Sequence, residues 1–244
     1  FDYDEEAGQW SQTEHVMMPG AAQFDYFGGS VSLSLQGLAV GAYGCAAGRG
    51  AVCVRDFAHR LLAETMEDFD AFGHSVSTEA STIAVGAPWV NRGKGEVNLF
   101  ERHQDVWVRR NQPLVAPDAE RDYFGQSVSL NGDTLVVGAM CSHDDNWMDP
   151  GDAYVFTRYK GVWDRGVRLP EDNDLAMNSF GYSVSVDADT IVVGAPTEDN
   201  GWSAGAAFPY KKDPLGRWVR NGFRLMAPDG NPDALFGYSV SVQG

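Results

Sequence analysis

The sequence predicts an all-β fold made of repeated four-stranded antiparallel units, and three observations predict it. First, Phe-Gly recurs at 27–28, 72–73, 124–125, 180–181 and 236–237, at spacings of 45, 52, 56 and 56 residues. Second, each copy passes through one residue into Ser-Val-Ser, and four copies continue to a Gly-Ala pair at 41–42, 86–87, 138–139 and 194–195. Third, helical periodicity of useful length is absent, while short alternating apolar runs recur between turn residues. Four short strands in a period of about 50 residues form the pattern of a β-propeller blade.

The elements follow in order within each repeat. The first strand begins after Phe-Gly, and in "FGQSVSLNGDTLVVGAM" (124–140) it runs to Asn131-Gly132. Asn-Gly between alternating runs predicts a hairpin with a type I′ turn, which needs positive φ at both central residues. The second strand ends at Gly-Ala, and where Pro88 and Pro196 follow, the missing N–H closes it. A glycine opens the third strand in "GAVCV" (50–54), "GEVNLF" (95–100), "GDAYVF" (151–156) and "GAAFPY" (205–210). The fourth carries Trp107, Trp163 or Trp218. In this reading the phenylalanines fill the space between blades, and the adjoining glycines allow close backbone approach or a positive φ.

The repeats therefore run 27–71, 72–123, 124–179 and 180–235, flanked by partial pieces 1–26 and 236–244, so that about five blades are visible in one domain or segment spanning 1–244. Phe1 aligns with Phe100 and Phe156, Trp10 with the fourth-strand tryptophans, and Met17 with Leu114 and Leu225. Pairing 236–244 with 1–26 would close a five-blade ring with one incomplete blade; the other expectation is a segment of a longer propeller.

Composition bounds the function. Hydrophobic residues make up 43% of 244, and no apolar run of bilayer length occurs. The 18 basic and 34 acidic residues give a net charge of −16, spread along the chain. That charge disfavours nucleic acid and anionic lipid as partners and leaves cations and basic partners open. The start, "FDYDEEAGQW", has no basic or apolar leader, so any targeting signal is expected upstream or removed. No Gly-x-Ser-x-Gly, His-Glu-x-x-His, phosphate loop or Cys-x-x-Cys occurs, and the five histidines fall at unrelated repeat positions, so catalysis is not expected.

The paired Phe-Gly and Gly-Ala-Pro phrases resemble the FG-GAP repeat of integrin α-subunit propellers and their extracellular relatives. The resemblance covers essentially the whole chain. It implies an extracellular or cell-surface binding or adhesion role, usually without catalysis, and a ring that usually has seven blades. Integrin cation sites lie in a long Asp-rich loop between the first and second strands. Here those positions hold Gln36-Gly37, Glu79-Ala80, Asn131-Gly132 and Asp187-Ala188-Asp189, too short to wrap an ion. Only Asp187 and Asp189 resemble a remnant, so calcium does not carry over by analogy.

Binding is expected in the loops. The connections between second and third strands (42–50, 87–95, 139–151, 195–205) and the crossovers to the next repeat (near 115–123, 170–179 and 226–235) are long and lie on one face. Each second-to-third loop carries an aromatic, Tyr43, Trp89, Trp147 or Trp202, and Arg92 follows Trp89. These rings either stack on a sugar or peptide ligand or pack over the blade junctions.

Oxygen ligands alternate at Asp118/Glu120/Asp122, Asp172/Asp174 and Asp229/Asn231/Asp233, and "CSHDDNWMDPGD" adds Asp144, Asp145, Asp149 and Asp152. They suit calcium by type, but none has the glycine and distal glutamate of a complete EF-hand loop; a solvated acidic rim is the other reading. Cys45 and Cys53 flank a strand connection, where either a disulfide or two thiols fit, and Cys141 is left over.

Two functional expectations follow. One is a non-catalytic module that recognises an extracellular protein or glycan through this face. The other is a structural repeat subunit whose blades pack against neighbouring chains of an extracellular assembly. A glycan-active enzyme stands behind both.

Overall fold

The computed structural model describes all residues except 1, 14, 19, 36, 56–59, 63–68, 105, 118–121, 141–150, 171–178, 198–203, 229–230 and 232–233. The fold is all-β and consists of successive antiparallel sheets. Sheet 1 contains Phe27–Ser34, Gly37–Ala42, Ala51–Arg55 and Arg60–Leu62 in that spatial order. Sheet 2 contains Ser75–Glu79, Thr82–Ala87, Glu96–His103 and Val106–Arg109. In sheet 3, Phe124–Asn131, Thr134–Ala139 and Asp152–Tyr159 are followed by an outer strand split into Val162–Trp163 and Val167–Arg168. Sheet 4 contains Ser183–Asp187, Thr190–Ala195, Ala206–Lys212 and Trp218–Arg220. A short hairpin, Asp2–Asp4 with Gln9–Ser11, pairs Tyr3 with Trp10 ahead of sheet 1. The sheets are consistent with propeller blades.

The second strands read as unbroken apolar runs because both faces are covered, and every residue of Thr82–Ala87 and Thr134–Ala139 is buried. Phe72, Phe124 and Phe180 are fully buried between consecutive sheets. Phe72, for example, joins Val52 and Val54 of sheet 1 to Ile83 and Val85 of sheet 2 and meets Phe100 edge-on at 6.1 Å. Gly125, at φ +92°, adopts a backbone that a side chain would strain, and a Cβ there would come within 2.7 Å of the Glu96 carbonyl oxygen.

The repeated serines join the sheets. Ser30, Ser75, Ser127 and Ser183 donate their hydroxyls to the carbonyls of Gly73, Gly125, Gly181 and Gly237, each at 2.8 Å. The second serine of each phrase accepts: Ser32, Ser77, Ser129 and Ser185 take the backbone N–H of Thr78, Leu130, Val186 and Val242 at 2.9–3.0 Å. Each Ser-Val-Ser thus binds the Phe-Gly strand of the next repeat. The glycine before alanine completes the junction, since a Cβ on Gly41, Gly86, Gly138 or Gly194 would overlap that same Phe-Gly carbonyl.

One expectation needs correction. Asn131 closes the hairpin ladder opposite Thr134, so the central turn residues are Gly132 and Asp133. Of those two only Gly132 has positive φ, the sign pattern of type II′ rather than I′. Asn131 instead works sideways: its amide donates to Asp187 Oδ1 at 3.0 Å, and its Oδ1 accepts from the Ala188 N–H at 3.1 Å.

Met17, which aligns with Leu114 and Leu225, is exposed like Leu225, and its neighbour Met18 is buried. Met18 is 4% exposed in a small cluster with Ala42 and Ala51, while Met17 is 71% exposed.

Of the two alternatives for Cys45 and Cys53, the structure holds thiols. Cys53 lies opposite Val40, and pairing of those two strands ends at Gly41–Val52. Cys45 lies beyond that end, in the turn, although both residues pack against the Met18 cluster.

Candidate recognition clefts

The site is built where the crossovers meet the turns between second and third strands. The crossovers into repeats 27, 72 and 124 end in "FDYFG", "FDAFG" and "RDYFG". Their aspartates, Asp25, Asp70 and Asp122, are buried. Asp25 accepts the Ala22 N–H at 2.7 Å and so ties its own crossover. The flanking residues take left-handed backbone: Phe24 (φ 71°), Tyr26 (52°), Phe69 (73°), Ala71 (57°) and Tyr123 (50°). Such conformations cost about 1–3 kcal/mol each and persist only where surrounding structure fixes them.

The neighbouring turns supply that fixation. Ala71 N–H donates to the Gly48 carbonyl and Tyr123 N–H to the Gly93 carbonyl, both at 2.8 Å, while Gly44 N–H donates to Asp25 O at 3.1 Å. The turns Cys45–Gly48 and Val90–Gly93 each contain two successive left-handed residues, Ala46-Ala47 and Asn91-Arg92. Bonds from Gly93 N–H to Trp89 O and from Gly95 N–H to Val90 O hold the second turn. It presents Trp89, Asn91 and Arg92 outward, all exposed.

Two clefts open between these elements. One, of about 470 Å³, is lined by Phe69, Asp70, Trp89, Asn91, Arg92 and Tyr123. The other, of about 340 Å³, is lined by Tyr43, Phe69, Ala71, His74, Trp89 and backbone at Gly44 and Gly48. Phe69 and Trp89 belong to both, although they are 67% and 54% exposed. Tyr43 stacks on Tyr26 with ring centres 4.7 Å apart and planes 5° from parallel, and meets His74 at 5.3 Å. Trp89 leans on Tyr123 at 6.4 Å. His74 Nδ1 donates to the Gln126 carbonyl at 3.2 Å. Burial holds its pKa below the ordinary value against the opposing effect of that bond, so the ring is neutral at physiological pH.

Of the expected ligand-face residues, Tyr43, Trp89 and Arg92 come together here, whereas Trp147 and Trp202 lie outside the described residues. Asp144, Asp145, Asp149, Asp229 and Asp233 also lie outside them. Asp187 is taken up by the junction, accepting from Asn131 and from the Gly244 N–H at 2.9 Å. Asp189 accepts from Thr190 and lies 3.8 Å from Lys211, and Asn231 accepts the Ala234 N–H at its backbone carbonyl. Among the described residues no group of three or more His, Cys, Asp or Glu side chains is placed to hold a metal ion. The sequence reading missed Phe24, Tyr26, Phe69, Asp70, His74 and Tyr123. The signal for all but His74 was the recurring Asp two positions before Phe-Gly, with an aromatic on at least one side.

The FG-GAP repeat family matches four times, at residues 10–54, 57–100, 108–156 and 163–210. The chain belongs to the FG-GAP repeat family. The matches together cover more than half of this FG-GAP chain. The comparison with curated proteins gave no match. In this FG-GAP protein no helix among the described residues is long and apolar enough to cross a membrane. FG-GAP repeats occur in extracellular and adhesion-type proteins, and here the family motif itself is occupied in joining sheets. The unshared residues of the turns and crossovers form the clefts.

Proposed function

We propose that this chain is a non-catalytic recognition module of an extracellular protein, a propeller segment that binds a protein or glycan through the face carrying the two clefts. The observation that carries this reading is the sharing of Phe69 and Trp89 by adjoining clefts. Two large exposed rings on backbone held by neighbouring turns make a pre-ordered contact surface, so little freedom is lost on binding. Screening wild type, Phe69→Ala and Trp89→Ala on glycan and protein arrays tests it. Each variant is expected to weaken binding by at least about tenfold, roughly 1.4 kcal/mol, with thermal unfolding unchanged. Wild-type binding by both variants would contradict the reading.

A second reading, a structural subunit packed against neighbouring chains, is favoured by Val31 and Leu33. They are 64% and 78% exposed, whereas Leu130 and Val186, at the Leu33 position of later repeats, are buried. Concentration-dependent multimerisation by light scattering, lost in Leu33→Ser, would support it; a monomer at high concentration would count against it.

A further inference from the structure

Resting on the recognition reading, we propose that the two clefts form one bipartite site for a neutral oligosaccharide, with consecutive sugar units on either side of the wall made by Phe69 and Trp89. The clefts differ in chemistry yet share that wall. The larger is lined by one acidic, one basic and one amide side chain, Asp70, Arg92 and Asn91. Sugar hydroxyls both donate and accept, and this set offers both, with the Tyr123 hydroxyl adding a group that does either. Arg92 is exposed and has no ion pair among the described residues. The smaller cleft presents Tyr43, Trp89, Phe69 and a neutral His74, flat rings suited to the apolar C–H face of a pyranose.

Charge and backbone pairing narrow the ligand class. A net charge of −16 works against an anionic glycan, and one acidic and one basic side chain in the polar cleft suit a ligand without net charge. A peptide bound by strand addition needs open main-chain groups. Here the Gly48 and Gly93 carbonyls and the Gly44 and Gly95 N–H groups already have backbone partners. Recognition at these turns therefore falls to side-chain heads and ring faces.

Calorimetry with neutral gluco-, galacto- and manno-oligosaccharides of one, two and four units tests this, beside oligogalacturonate and the protein array above. For one neutral series, the disaccharide is expected to bind at least about tenfold tighter than the monosaccharide, with little further gain at four units and little salt dependence. Tyr43→Ala and Arg92→Gln each remove that gain, and Trp89→Ala removes binding. Tyr43→Leu and Trp89→Leu replace any alanine variant that fails to fold. Binding of neutral sugars without a gain from one unit to two overturns the bipartite assignment. Trp89-dependent binding of oligogalacturonate or of a protein, with neutral sugars inert, overturns the neutral-sugar inference and leaves the recognition reading standing. Absence of binding to every glycan and protein overturns both.

Discussion

Ser75 Oγ donates to the Gly125 carbonyl oxygen at 2.8 Å across the boundary between sheets 2 and 3, and the same bond recurs at every junction described. Both groups are buried, so the carbonyl has little access to replacement water. Ser75→Ala is expected to destabilise the fold by about 1–3 kcal/mol, the cost of an unpaired buried acceptor. Urea denaturation measures it, and an unchanged midpoint would show that the bond contributes nothing net.

Gly86→Ala attacks the same junction from the other side. Its Cβ would overlap the Gly125 carbonyl, with the Ser75 hydroxyl on its flank, so neither neighbour can retreat without breaking their bond. The expected cost is about 3 kcal/mol, at the upper end for overpacking. Wild-type thermal stability in this variant would mean that the sheets slide apart easily.

Phe124→Ala empties a fully buried position that touches Tyr154 at 5.7 Å and Phe156 at 5.8 Å. A loss of about 3–5 kcal/mol is expected by chemical denaturation. A loss below about 1 kcal/mol would show that the inter-sheet space collapses around the cavity.

Asn131→Asp places a second carboxylate 3.0 Å from Asp187 Oδ1, where the amide now donates. The variant is expected to lose about 1–3 kcal/mol at neutral pH and to recover part of it as acid protonates one of the pair. A pH-independent loss, followed by thermal unfolding, would contradict the sideways role of Asn131.

His74 gives a pH dependence of defined sign. Its folded pKa lies below the ordinary 6.5, so between the two values the unfolded chain binds more protons. The stability contributed by the neutral ring is complete above about 6.5 and is lost as pH falls toward the folded pKa. The difference between wild type and His74→Gln should therefore shift against wild type as pH drops from 7 to 5; a constant difference would refute the assignment.

Much of this architecture was legible because a glycine, phenylalanine or serine used at every junction must recur at every junction. Periodicity exposed the strands, and the phenylalanines were readable as inter-sheet filler. What the repeated serines do was not, since a hydroxyl between valines reads equally well as a small residue near a crowded axis. The Asn131-Gly132 turn slipped by one because Asn131 closes the ladder in the register that Glu79 and Asp187 share in their repeats, and its side chain bonds the next repeat. The site was half legible. Tyr43, Trp89 and Arg92 stand in loops of visible length, but Phe69 and Tyr123 sit in left-handed backbone just before a motif, and spacing alone does not report backbone sign.

In the proposed recognition module, ligands meet the face of turns 43–50 and 89–95 and crossover end 69–74. Hydrogen-exchange mass spectrometry on the wild-type protein, with and without the tightest array ligand, is the test. Slowed exchange in those three segments, with the opposite-end hairpin turns at 79–82, 131–134 and 187–190 unchanged, is the expected result. Protection confined to the hairpin turns, with exchange around Phe69 and Trp89 unaltered, would contradict it.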